Sequence, residues 1–134
     1  MQGIVEHGDA RGRQLGFPTA NLPLHGSDEL DGVWAAHAVV DGVGRFGATV
    51  SIGRRPTYYR DGARLAEVHL LDFAGDIYGS HLSVELVSFL RPQVRCGSEA
   101  ELIAMITADV HTARAVVNAE SPTYHWPWLG LVPA

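Results

Sequence analysis

Between Gly32 and Leu90 the chain is a succession of short apolar runs, most with a two-residue alternation and each closed by a turn containing glycine. Gly32 to Val40 ends at Asp41-Gly42, a pair that favours a hairpin, and Arg45 to Ile52 follows as its partner. Leu65 to Phe73 places Glu67, His69 and Leu71 on one face and Val68 and Leu70 on the other. A turn containing Gly75-Asp76 and Gly79 leads into His81 to Leu90, where Leu82, Val84, Leu86 and Ser88 alternate with His81, Ser83, Glu85 and Val87. Such runs without intervening helices predict an antiparallel sheet, and a small closed barrel is the arrangement that leaves no long edge exposed. Gln2 to His7 and Thr19 to Leu22 read as two shorter strands flanking a glycine-rich loop.

The pattern changes at Ser98. Ser98-Glu-Ala-Glu101 has the spacing of a capping box, and Leu102, Ile106, Val110, Ala113 and Val117 recur at helical intervals. An amphipathic helix of about six turns at 3.6 residues per turn is expected there, packed on the sheet. Residues 121 to 134 hold three prolines, with Tyr124, Trp126 and Trp128 at alternate positions, which forbids a helix. The expected organisation is one unit over residues 1 to 119 and a Pro/Trp-rich tail over 120 to 134, docked on the barrel or on a partner.

Composition narrows the chemistry. All ten basic residues are arginine, so the lysine-dependent P-loop and protein-kinase sites are excluded. A net charge of -5 gives no footprint for nucleic acid or an anionic membrane, and no apolar run approaches the length of a membrane span. Cys96 is the sole cysteine, which excludes an internal disulfide and a cysteine-based zinc cluster, and with no charged-then-apolar signal at the start the cytoplasm is the expected default location. No Gly-x-Ser-x-Gly elbow or His-Glu-x-x-His pair is present.

Residues 8 to 22 carry the strongest local signal. Gly8, Gly12 and Gly16 are spaced by four, with Asp9, Arg11 and Arg13 among them, and they run into Pro18-Thr19-Ala20-Asn21. Glycine-rich backbone can surround an anion with its amides, and a phosphate is the natural candidate. In an extended segment Thr19 and Asn21 point to one side and offer a hydroxyl and an amide oxygen, hard donors suited to magnesium. A solvated surface loop is the plain alternative. Glu67, an acid inside an apolar strand, is a candidate general base, with an exposed face shared with His69 as its alternative. His37 and His69 read as core or surface residues with satisfied hydrogen bonds.

The order of these elements closely resembles the riboflavin kinase family. Gly8 to Leu22 with its Pro-Thr-Ala-Asn element is followed by Gly32-Val-Trp and by Ser51-Ile-Gly-x-Arg-Pro-Thr57. Then come Glu67-Val-His-Leu-Leu-Asp-Phe73, Gly75-Asp-Ile-Tyr-Gly79 and Leu90-Arg91. The resemblance runs from about Gly3 to Val117 and implies a mainly β fold, a six-stranded antiparallel Greek-key barrel with a C-terminal helix packed on it. It implies phosphoryl transfer from ATP to the 5′-hydroxyl of riboflavin, with Mg2+ and ATP held by the loop from Gly8 to Gly16, Pro18, Thr19 and Asn21. Glu67 is implied as base, and the flavin would lie between loops near Arg91 and the helix. Most bacterial members carry an adenylyltransferase module ahead of the kinase, which this chain does not show. A non-catalytic flavin- or nucleotide-binding module on the same barrel is the alternative, although such a binder has no need of a base.

Overall fold

A computed structural model of the chain describes residues 1–6, 17–24, 28–54 and 64–120. Six strands precede one helix: β1 (Gln2–Ile4), β2 (Ala20–Leu24), β3 (Gly32–Val40), β4 (Gly44–Arg54), β5 (Arg64–Leu70), β6 (His81–Arg91) and α1 (Glu99–Glu120). All strand pairs are antiparallel, and the sheet order is β1-β6-β3-β4-β5-β2. Within it β3, β4 and β5 form a meander and β6 returns beside β3, which is the Greek-key order. The two ends of the sheet approach each other where the Glu6 amide donates to the Asn21 carbonyl at 2.9 Å. The sheet is therefore a nearly closed barrel, as expected. The expected glycine loop from Gly8 to Gly16, the stretch from Arg55 to Gly62 and the Pro/Trp-rich tail lie outside the described residues.

Alternation sorts the side chains. Ala20, Leu22, Ala36, Ala38, Ala48, Val50, Ile52, Ala66, Val68, Leu82 and Val84 point inward and form one buried cluster. Leu22 and Leu82 are fully enclosed, each worth roughly 1.5–3 kcal/mol relative to exposure. A second cluster lies outside the barrel, where Ala35 and Leu71 meet Ala113 and Val117 of α1. Gly47 permits that contact, because a Cβ there would stand 3.0 Å from Val117 Cγ2.

The helix starts as the sequence predicts, with one difference. Ser98 Oγ accepts from the Glu101 amide at 3.2 Å, while the Glu101 carboxylate accepts from the Gly97 amide at 2.8 Å and not from that of Ser98 itself. Its contact stripe is also shifted. The buried helix residues are Asp109, Ala113 and Val117, whereas Leu102 and Ile106 are only half covered.

Two features yield stability predictions. Gly32 has φ +132°, and a Cβ on it would lie 2.4 Å from the Phe89 ring and 2.9 Å from the Arg91 carbonyl oxygen. Gly32→Ala is expected to destabilise the fold by about 2–3 kcal/mol in urea denaturation; a change below 0.5 would mean that the end of β6 gives way freely. His37 is 5% exposed on the barrel wall, and burial, reinforced by the Arg45 charge, lowers its pKa from 6.5 to about 4. The unfolded chain therefore binds this proton at a higher pH than the folded one does. Stability associated with neutral His37 is present above pH 6.5 and is lost as pH falls towards 4. His37→Gln is expected to show a shallower loss over that window than the wild type, and parallel curves would remove His37 from the acid response.

Candidate active site

The candidate site lies on the outer wall of the barrel. Because Ala20 and Leu22 fill the interior, the intervening Asn21 faces outward. It pairs in register with Glu67 of β5; Glu67 pairs with Ser51 of β4, Ser51 with Val33 of β3, and Val33 with Arg91 of β6. Cross-strand partners share a face, so Asn21, Glu67, Ser51, Val33 and Arg91 form one row around the outside. Two of the expected site residues, 46 positions apart in the chain, thus become immediate neighbours.

Asn21 is only 3% exposed although it faces outward, and its Oδ1 finds no hydrogen-bond partner among the described residues. A buried acceptor in that condition costs about 1–3 kcal/mol unless something meets it. An amide oxygen beside a half-buried carboxylate is a donor set that a hard divalent cation would satisfy, so the residues fit Mg2+.

Thr19 and Pro18 immediately precede β2. Thr19 is exposed and lines a small cleft of about 60 Å³ with Glu6, Pro18, Phe73 and Tyr78; neither Asn21 nor Glu67 is among the described residues lining it. The Pro18–Thr19 peptide is anchored from β5, where His69 Nδ1 lies 2.9 Å from the Pro18 carbonyl oxygen and its ring meets Phe17 edge to face at 5.7 Å. Gln93, just past β6, donates from Nε2 to Ser51 Oγ at 2.7 Å and to the Ile52 carbonyl at 3.1 Å. That bond ties the outgoing segment beside the Glu67 row.

Arg91 is engaged with the helix. Its Nη2 and Nε donate to the Asp109 carboxylate at 2.7 and 3.0 Å, and Nη1 donates to the Pro92 carbonyl at 3.1 Å. Asp109 is 8% exposed, so the pair is largely shielded and sets where α1 sits. The sequence singled out Arg91 but gave no hint of Asp109, because an acid on a helix reads as solvated unless its partner strand is known. His69 left more trace, since it lies two residues from Glu67 on the same face. Gly8, Asp9, Arg11, Gly12, Arg13 and Gly16 lie outside the described residues. Among the described residues no group of three or more His, Cys, Asp and Glu side chains is arranged to hold a metal.

With this geometry in view, the comparisons with known proteins are specific. The family model described as Flavokinase, riboflavin kinase, matches residues 1–117. The bifunctional riboflavin kinase/FMN adenylyltransferase of Escherichia coli K12 is 41% identical over 123 residues, covering 91% of this chain and 39% of the relative. The chain thus spans about two fifths of the length of such curated relatives. A solved structure titled riboflavin kinase from Trypanosoma brucei superposes with a TM-score of 0.71 over 99% of this chain and 86% of that one, at 23% identity, which bears on the fold. A Streptococcus pneumoniae structure titled macrolide-efflux protein matches with a TM-score of 0.73 and 34% identity over 84% of this chain and 37% of that one. No described helix is long and apolar enough to cross a membrane.

The Arg91–Asp109 pair is expected to dominate the hold on the helix. Asp109→Ala should lower stability by roughly 2–3 kcal/mol, under the 3–5 of a fully buried pair. The check is thermal unfolding followed by circular dichroism; a loss no larger than that of Asp76→Ala, an acid with only a local turn bond, would make the pair incidental.

Proposed function

Because the chain belongs to the riboflavin kinase family, we propose that it transfers the γ-phosphate of ATP to the 5′-hydroxyl of riboflavin, giving FMN and ADP. The observation that carries this reading is the pairing of Asn21, with its buried amide oxygen, directly opposite Glu67 on the outer wall. A binding module needs a pocket but not a carboxylate beside a cation donor.

In the proposed reaction the riboflavin 5′-oxygen attacks the γ-phosphorus, the bond to the β–γ bridging oxygen breaks, and ADP leaves. Glu67 accepts the hydroxyl proton. Asn21 and Thr19 would hold Mg2+, which when bound neutralises charge on the phosphates. Since no lysine is available, backbone amides of residues 8 to 16, with Gly8, Gly12 and Gly16 allowing close approach and Asp9, Arg11 or Arg13 nearby, are proposed to meet the phosphate oxygens. Arg91 is proposed to serve the flavin side by fixing α1 through Asp109. We place the reaction in the cytoplasm and assign the FMN adenylyltransferase activity named for the relatives to the part of them outside this match.

Incubation with riboflavin, ATP and Mg2+, followed by separation of flavins, is expected to give FMN, and chelation of the metal to stop it. Glu67→Gln should lower kcat by about 10²–10⁴ while riboflavin binding persists. Riboflavin binding without FMN formation by the wild type would replace the kinase with a binding module.

A further inference from the structure

We infer that His69 is a positioning residue for the Mg-nucleotide half of the site, acting through the Pro18 carbonyl; this rests on the kinase reading above. The Pro18 oxygen can only accept, so the hydrogen bond at 2.9 Å assigns a proton to His69 Nδ1. Pro18 has its φ fixed by the pyrrolidine ring, and a hydrogen bond on its carbonyl fixes the remaining soft angle. Together they set the plane of the Pro18–Thr19 peptide. No described peptide is cis, and in a trans peptide the N–H points opposite to the carbonyl, so the Thr19 amide is directed away from β5.

The same plane determines where the Thr19 hydroxyl stands and how the chain enters β2 at Ala20, one residue before Asn21. The T-shaped contact of Phe17 with the His69 ring supports the residue before Pro18. Continuing the register of β2 on β5 sets Thr19 opposite His69, just as Asn21 is opposite Glu67. Thus two outward polar residues of β5 divide the work: Glu67 stands beside the proposed base chemistry, and His69 holds the backbone that carries the cation donors.

Two variants separate the hydrogen bond from the ring. In His69→Asn the side-chain amide nitrogen takes the place of Nδ1 and keeps the donor, while in His69→Phe the ring stays against Phe17 and the donor is lost. KM for Mg-ATP, KM for riboflavin and kcat are measured for the 134-residue chain, with Mg-ADP affinity by titration calorimetry and the thermal midpoint of each variant. His69→Phe is expected to weaken Mg-ADP binding and raise KM for Mg-ATP about tenfold, with KM for riboflavin little changed, and His69→Asn to remain close to the wild type. The inference is overturned if both variants lose nucleotide affinity equally, if neither does, or if the loss falls on riboflavin or follows the thermal midpoint. A wild type that binds Mg-ADP yet forms no FMN would defeat the kinase reading, while the nucleotide data would still decide the role of His69. A wild type that binds no Mg-nucleotide would overturn the role of His69.

Discussion

The register of β2 against β5 is the constraint on which the site depends. A slip of one residue would turn Asn21 into the barrel and Ala20 and Leu22 out of it, exchanging a fully enclosed leucine for an unsolvated amide. Five consecutive pairs from Ala20–Val68 to Leu24–Arg64 hold that register on one side, and the Glu6–Asn21 bridge holds it on the other. The bidentate contact of Arg64 with Asp31, at 2.7 and 2.8 Å, fastens the beginning of β5 to the segment that enters β3. The hydrophobic effect thereby sets the position of a polar group that contributes nothing to the core.

The opposite end of the outer row is governed by packing of a different kind. Around α1 the barrel wall presents Ala35 and Gly47, small residues that let the helix backbone approach, and the helix answers with Ala113 and Val117. Arg91 with Asp109 gives this contact direction. An apolar stripe alone would tolerate a rotation of the helix by part of a turn, whereas a forked guanidinium on a carboxylate does not. Gln93 acts between these two regions by binding β4 from the segment that joins β6 to the helix.

Much of this was legible from the chain. The strands β3, β4, β5 and β6 were announced by alternation and by their glycine turns, and the outward face shared by Glu67 and His69 followed from the same periodicity. Ser98 and Glu101 marked the helix start to within a residue. What escaped were relations across the fold. His69 and Pro18 are 51 positions apart and meet only because β2 and β5 adjoin, and the order of the sheet is not encoded in any local pattern. The burial of Asn21 was hidden for a further reason: a polar residue near proline reads as a turn, and its neighbours are Glu67 of β5 on one side and Glu6, past the end of β1, on the other. His37 could have been core or wall, and its burial between β4 and β6 is visible only in the folded sheet.

The barrel interior is lined by alanine at five positions, 20, 36, 38, 48 and 66, with valine, leucine and isoleucine filling the rest. These inward side chains are buried against one another and form the core of the fold. The core and the proposed Asn21–Glu67 pair thus lie on opposite faces of the same strands, with even-numbered residues of β2 and β5 serving the interior and odd-numbered residues the outer wall. Substitution on the outer face can therefore proceed without disturbing the interior. Such a division lets a barrel of this size keep its architecture while the chemistry on its wall changes one side chain at a time.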